Sequence, residues 1–498
     1  MAETISHWID GEAREGTSGQ GGPVYDPATG AEIRRVGYAS SGEVDLAVAS
    51  ARNAFAGWRD TPLGKRTQIL FAFRSLVDSA REELAELISS EHGKTRPDAG
   101  GEVQRGLETI EFACGIAHHL KGDFSQQVST GVDLCSVREP LGVIGCITPF
   151  NFPVMVPLWM IPIAIACGNT VVLKPSEKDP SASNRLAELF GEAGLPAGVL
   201  NVIHGSREAV ERLIEHPDVE ALSFVGSTPV ARAIYEGGAQ HGKRVQALGG
   251  AKNHMLVLPD ADMDLAADAA VSAAYGSAGE RCMAISVIVA VGDAADRLLP
   301  KIEERISKLK MGAADDPSSE MGPLITRDHK ERVVSCIDAG VEEGATLVAD
   351  GRALSVRGYE KGFFVGPTLF DNVKPSMGIY REEIFGPVLS VVRVEHFTDG
   401  IELVNRNPYA NGTAVFTNDG GAARRFQREI QAGMIGINVP IPVPLGFYSF
   451  GGWKSSLFGG HSIYGPDGVH FYTRPKVITT RWADPVHRGV DLGFPRTS

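Results

Sequence analysis

One side chain in the sequence sits in a setting suited to covalent chemistry: Cys282, within the glycine-flanked polar tetrad Gly279-Glu280-Arg281-Cys282. A guanidinium one residue away is expected to favour the thiolate and to lower the thiol pKa from its ordinary value of about 8.5. Taken alone, such a cysteine is more often a core or incidental residue than a nucleophile. Competing chemistries lack their residues. Gly93-Lys94-Thr95 has Ile88 where a phosphate-binding P-loop needs its first glycine, and neither G-x-S-x-G nor H-E-x-x-H occurs. Asp260-Ala261-Asp262-Met263-Asp264 begins like a calcium loop, but Leu265 replaces its glycine and Val271 its glutamate, so helix capping is expected there and no metal. The remaining cysteines, at 114, 135, 146, 167 and 336, are dispersed without a C-x-x-C pair, which argues against a zinc ribbon or a disulfide framework and for a reducing compartment.

The elements that must position such a group follow from hydrophobic periodicity. Val143-Ile144-Gly145-Cys146-Ile147 and Thr170-Val171-Val172-Leu173 are short apolar runs of the kind that form strands buried on both faces. Leu186, Leu189, Phe190 and Ala193 fall on one helical face over 181–193, and Gly194 and Pro196 stop that helix. A third strand is expected at 199–203, a helix around Val210, Leu213 and Ile214, and a fourth strand at 221–225. This is a β-α-β-α-β series, whose ligands bind beyond the carboxyl ends of the strands. Gly226-Ser227-Thr228 follows the fourth strand directly; without a full G-x-G-x-x-G it reads either as a phosphate site or as an ordinary strand-to-helix turn. A second α/β unit is expected after about residue 250.

Leu141 to Leu173 contains no Asp, Glu, Lys or Arg, yet Pro149, Asn151, Pro153, Pro157, Pro162 and Gly168-Asn169 divide it, so a strand, a loop, an apolar helix and a second strand are expected and not a membrane span. At 498 residues, with 43% hydrophobic and 22% charged residues, the chain should form about three packed units. A net charge of −13 makes nucleic acid an unexpected partner. The start, Met1 to Trp8, has no basic segment followed by an apolar one, so a cytoplasmic location is expected, or the mitochondrial matrix for a mature eukaryotic protein.

Five separated motifs in order resemble the aldehyde dehydrogenase superfamily: Thr148-Pro149-Phe150-Asn151-Phe152-Pro153, Leu173-Lys174-Pro175-Ser176-Glu177, Phe224-Val225-Gly226-Ser227-Thr228, the Cys282 segment, and Glu382-Glu383-Ile384-Phe385-Gly386-Pro387. The resemblance implies an α/β fold with a Rossmann-type NAD-binding domain (1–118 and 140–248), an α/β catalytic domain (249–450), and a small β oligomerisation flap with tail (119–139 and 465–498). It also implies a dimer or tetramer. Cys282 becomes the nucleophile and Asn151, with the Cys282 backbone N–H, the oxyanion donor. Lys174 and Glu177 are implied at the adenosine ribose, Gly226 and Ser227 at the pyrophosphate, and Glu383 at the nicotinamide ribose. Phe150 and Phe385 complete the cofactor site. A carboxylate at Glu177 would repel a 2′-phosphate, so NAD is expected over NADP.

Hydrolytic members of the superfamily carry Glu-Leu-Gly-Gly, with the glutamate as base for the deacylating water; here the segment is Ala247-Leu248-Gly249-Gly250. Without that base, a thiol such as coenzyme A is the expected acyl acceptor. The stretches 241–246, Gly250-Ala251-Lys252-Asn253-His254, Arg281-Cys282-Met283-Ala284, 438–444 and Phe471-Tyr472-Thr473 resemble the methylmalonate-semialdehyde dehydrogenase family, which uses NAD and CoA to oxidise and decarboxylate malonate or methylmalonate semialdehyde to acetyl-CoA or propionyl-CoA. That resemblance places the substrate carboxylate on Arg105 and Arg281. Glu280 stands where this family commonly has glutamine, and it raises two expectations: an anion that opposes thiolate formation or repels a carboxylated substrate, and activation of water in a hydrolytic alternative that releases a free acid.

Overall fold

The computed structural model describes residues 3–482; the 483–498 part of the expected tail lies outside the described residues. Five parallel strands form the heart of an eight-stranded sheet, in the spatial order Arg244–Leu248, Val219–Val225, Val143–Ile147, Thr170–Lys174, Leu200–Val202. The expected third strand is one residue shorter at each end. All residues of Val143–Ile147, Thr170–Lys174 and Leu200–Val202 are buried, as continuous apolar runs require when helices cover both faces. The chain leaves Val143–Ile147 in one direction and returns beside it as Val219–Val225, so the order reverses between these two strands. That reversal opens a crevice at their carboxyl ends, between the loops at 148–153 and 226–228.

The uncharged stretch resolves as expected into strand, loop, helix and strand. Its helix, Met155–Ala166, is buried on every side. Pro162 cannot donate to the Leu158 carbonyl, and the Thr109 hydroxyl lies 3.0 Å from that oxygen instead. Thr109 belongs to the helix Arg96–Cys114, which crosses closely because Gly106 has no side chain: a Cβ there would stand 2.6 Å from Leu158 Cδ1. Among the described residues no helix is long and apolar enough to cross a membrane.

The second α/β unit is a seven-stranded sheet, in the order Thr346–Ala349, Thr368–Asp371, Val388–Val394, Ile285–Val291, Asn253–Val257, Gly412–Phe416, Met434–Ile437, parallel except for its first pair. Asp262 caps the helix Met263–Tyr275, accepting from the Asp264 and Leu265 N–H groups, as the calcium-like run led one to expect. A third layer pairs Phe124–Ser129, Val132–Pro140 and Thr473–Arg481 into an antiparallel sheet. Residues 465–471 form a helix packed on Met155–Ala166, and Leu457–Phe458 pairs with Arg244–Leu248, so the region after 450 is shared among all three layers.

Candidate active site

Two cavities meet at Cys282. One, of about 500 Å³, lies in the crevice of the parallel sheet and is lined by Phe150, Asn151, Gly226, Ser227, Glu383 and Phe385. The other, of about 370 Å³, opens beside the helix Arg96–Cys114 and is lined by Arg105, Phe152, Trp159, Arg281, Ile441 and Val443. Cys282 thus faces the sheet crevice on one side and, on the other, an apolar-walled chamber that holds two arginines together with Asp98 and Glu102.

The nucleophile segment is set by backbone geometry. Ser277, Ala278 and Gly279 all adopt left-handed φ values of 54°, 51° and 76°, and a Cβ on Gly279 would stand 2.2 Å from the Gly386 carbonyl oxygen, so this contact admits only glycine. Asn253 Nδ2 and Asn411 Nδ2 donate to the Cys282 carbonyl at 2.9 and 3.1 Å, fixing the orientation of the peptide beyond the turn. The thiol itself departs from expectation. Burial first, then the Glu383 carboxylate, push its pKa up to about 12, against the downward pull of the Cys282 and Met283 N–H groups and Arg281. Arg281 does little because its guanidinium is engaged with Asp98 at 2.6 Å. The resting side chain is therefore a neutral thiol.

Asn151 is buried and held from behind. Its carbonyl oxygen accepts from Lys94 Nζ at 2.5 Å, and the same ammonium pairs with Glu102 Oε2 at 2.6 Å, both side chains fully buried. Glu102 Oε1 in turn accepts from the Val154 and Met155 N–H groups, tying the loop to the start of the buried helix. This pair was hidden in the sequence inside the discarded Gly93-Lys94-Thr95 motif.

The glycine and serine at 226–227 sit where a phosphate would meet a helix. Ser227 precedes the helix Thr228–Gln240 and makes no side-chain cap, and Ser227, Thr228 and Pro229 line the crevice, so the uncapped end of this helix lies at its wall. Glu383 Oε1 accepts from Ala251 N at 2.9 Å, and burial raises its pKa to about 7. Phe385, itself left-handed at φ 59°, stands edge-on to Phe150 with ring centroids 5.8 Å apart. Lys174 and Glu177 pair with each other at 2.9 Å one strand over, beyond the residues that line the crevice itself.

Arg105 and Arg281 do converge on the second cavity, each with a carboxylate already beside it. Arg105 Nη1 lies 2.7 Å from Glu108 Oε2 and its Nη2 donates to the Pro444 carbonyl at 2.9 Å. Glu280 goes elsewhere: it is fully buried, lines neither cavity, accepts from Ile325 N at 3.2 Å, and stands 3.5 and 3.7 Å from His329 and His92. Both expectations attached to it are corrected, since a carboxylate directed into the core can neither repel a substrate in the chamber nor activate water there. Ala247 is also fully buried, in the apolar cluster of Phe224, Val245 and Ile147, whereas Cys282 packs against the cluster that holds its neighbour Leu248.

The aldehyde dehydrogenase family model matches residues 14–478. The chain is 53% identical over 494 residues to malonate-semialdehyde dehydrogenase of Pseudomonas aeruginosa, covering 99% of each chain. The crystal structure of methylmalonate-semialdehyde dehydrogenase from Oceanimonas doudoroffii superposes with a TM-score of 0.96 at 51% identity, covering 97% of this chain and 99% of that one. An NAD-dependent aldehyde dehydrogenase from Sinorhizobium meliloti superposes with a TM-score of 0.92 at 33% identity, covering 97% and 96%. With a matched model spanning the cofactor crevice, the nucleophile and the flap, this chain belongs to the aldehyde dehydrogenase family.

Proposed function

We propose that this aldehyde dehydrogenase uses NAD and coenzyme A to convert malonate or methylmalonate semialdehyde to acetyl-CoA or propionyl-CoA through a thioester on Cys282. The observation that carries the reading is the position of Cys282 between a dinucleotide crevice and a chamber holding two arginines. The crevice fits a dinucleotide on its own features: uncapped N–H groups at Ser227 for the pyrophosphate, the free Glu383 oxygen for a ribose hydroxyl, and aromatic walls at Phe150 and Phe385. NAD, when bound there, supplies the hydride acceptor.

The protein's own residues do the rest. Arg105 and Arg281 hold the substrate carboxylate so that its aldehyde carbon meets the sulfur. As the C–S bond forms, the thiol proton passes to water in the open cavity, and negative charge gathers on the aldehyde oxygen, where Asn151 and the Cys282 N–H donate. Loss of hydride from that carbon leaves an acyl group in thioester linkage to Cys282. Because the acyl chain carries a carboxylate one carbon away, loss of carbon dioxide gives an enolate that the thioester delocalises, and a proton then restores the alkyl group. The CoA thiolate displaces Cys282, which no carboxylate base need assist. The lack of a carboxylate in Ala247-Leu248, where hydrolytic members carry Glu-Leu, supports acyl transfer over hydrolysis, since that segment offers a deacylating water no proton acceptor.

The exposed Val477 and Ile478 on Thr473–Arg481 and Phe124 on its sheet are the surface proposed for pairing with a second copy of the chain. Free cysteines at all six positions suit the reducing cytoplasm. The test is NADH formation from malonate semialdehyde and NAD, with and without CoA, with the carbon product identified. CoA-dependent turnover to acetyl-CoA supports the proposal; equal turnover to a free acid overturns it.

A further inference from the structure

The segment 382–385, which carries Glu383 and Phe385, is irregular backbone and pairs with no strand, so its carbonyl groups need other partners. Four consecutive carbonyls find them on side chains. Lys252 Nζ donates to Glu382 O at 2.7 Å and also to Ile379 O at 2.7 Å, at the end of the short helical turn before it. Arg332 donates to Glu383 O at 2.9 Å and Ile384 O at 2.8 Å, and His329 Nε2 lies 2.7 Å from Phe385 O. Arg332 and His329 come from one helix, Arg327–Glu342; Lys252 comes from the opposite side, directly after the Ala251 N–H that holds the Glu383 carboxylate.

The geometry points to Lys252 as a positioning residue for the cofactor: its buried ammonium clamps the 379–382 carbonyls so that Glu383, held through the neighbouring Ala251 peptide, presents its free oxygen to the ribose. This rests on the reading of Glu383 as a ribose contact. Arg332 is exposed at the crevice and could touch a ligand directly, whereas Lys252 is 3% exposed and lines neither cavity, so its influence must pass through the segment it holds. Glu382, Glu383 and Cys336 face the ammonium, with His254 two residues along the chain and Arg332 across the segment. Burial outweighs the attraction of the two carboxylates and lowers the Lys252 pKa to about 8. Deprotonation leaves an amine that still donates but without charge, and such bonds are roughly half as strong.

Three measurements test this. Lys252→Met removes the donor shared by the buried Ile379 carbonyl and the part-buried Glu382 carbonyl, so the KM for NAD should rise about 10- to 100-fold while kcat at saturating NAD changes less than about threefold. In a Glu383→Gln background the same substitution should raise KM by less than about threefold, because the group it positions has already been altered. In the unsubstituted enzyme the KM for NAD should rise between pH 7 and pH 9, a reading that stands even if Lys252→Met fails to fold. An unchanged KM in Lys252→Met, factors that simply multiply in the double variant, or a flat profile from pH 7 to 9 overturns the positioning role. A Glu383→Gln enzyme with unaltered KM for NAD instead overturns the ribose contact, and the inference falls with it.

Discussion

Replacing Arg105 by glutamine separates recognition of the substrate carboxylate from everything else the chamber does. In the folded chain its guanidinium is 30% exposed, with one edge on Glu108 and one donor on the Pro444 carbonyl, which leaves the remaining donors for a ligand in the chamber. A hydrogen bond to a charged acceptor contributes about 1.5–3 kcal/mol, so its loss should lower kcat/KM for malonate semialdehyde about 10- to 150-fold. The orphaned Glu108 is partly solvated, and breaking so exposed a pair adds little to the cost. Glutamine keeps a donor for Pro444 and much of the stem that packs along the chamber wall, so propanal, which has no carboxylate, should lose less than about threefold. The assay is the initial rate of NADH formation with each aldehyde at saturating NAD and CoA, reported as the ratio of the two kcat/KM values. Equal losses on both aldehydes would show that Arg105 acts by holding the 441–444 wall. No loss on either would place the carboxylate elsewhere.

Cys282→Ala should abolish NADH formation and leave NAD binding intact, measured by fluorescence titration with NADH; residual turnover would remove the covalent step. Lys94→Met strands a wholly buried Glu102 carboxylate and should cost about 3–5 kcal/mol in denaturant unfolding, with much of it recovered when Glu102 is also made leucine. A loss under about 1 kcal/mol would contradict the buried pair. Glu280 has its pKa raised by burial to about 8, so the folded chain retains a proton that the unfolded chain gives up near 4.5, and stability falls as pH rises between those values. Glu280→Gln mimics the protonated form, so it should match the parent at pH 5 and outlast it in thermal inactivation at pH 9; a constant difference across that range would refute the assignment.

The cofactor layer was legible because parallel strands buried on both faces must be largely apolar runs, and 143–147, 170–173 and 221–225 are such runs. The convergence of Arg105 with Arg281 was reachable only through family resemblance, since their 176-residue separation in sequence carries no local periodicity linking them. The Lys94–Glu102 pair escaped because it crosses from a helix end to the next helix, where side-chain direction depends on packing. The thiol's elevated pKa escaped for a similar reason: burial and the approach of Glu383, its main causes, come from packing, and adjacency to Arg281 in sequence does not reveal that Asp98 engages that cation. The pairing of His7–Ile9 with Leu200–Val202, at the far edge of the cofactor sheet, likewise has no signal in either segment alone.

Gly279 and Gly386 meet back to back, one next to a run of left-handed residues and the other next to left-handed Phe385, and this divides the site into a part that can drift and a part that cannot. Any side chain at Gly279 would push the nucleophile turn off the nicotinamide-side loop, so variation along that seam is lethal to the chemistry before it alters preference. The opposite wall is built from ordinary side chains on the helix Arg96–Cys114 and the 441–443 loop, of which Asp98 holds the nucleophile segment through Arg281 while Arg105, Ile441 and Val443 make no such bond to it. A library aimed at new aldehydes should therefore concentrate its survivors at positions such as Arg105, Trp159, Ile441 and Val443, and recover the parental residue at Gly279 almost every time. The reaction is inherited as a fixed unit, and substrate choice is the trait left open to selection.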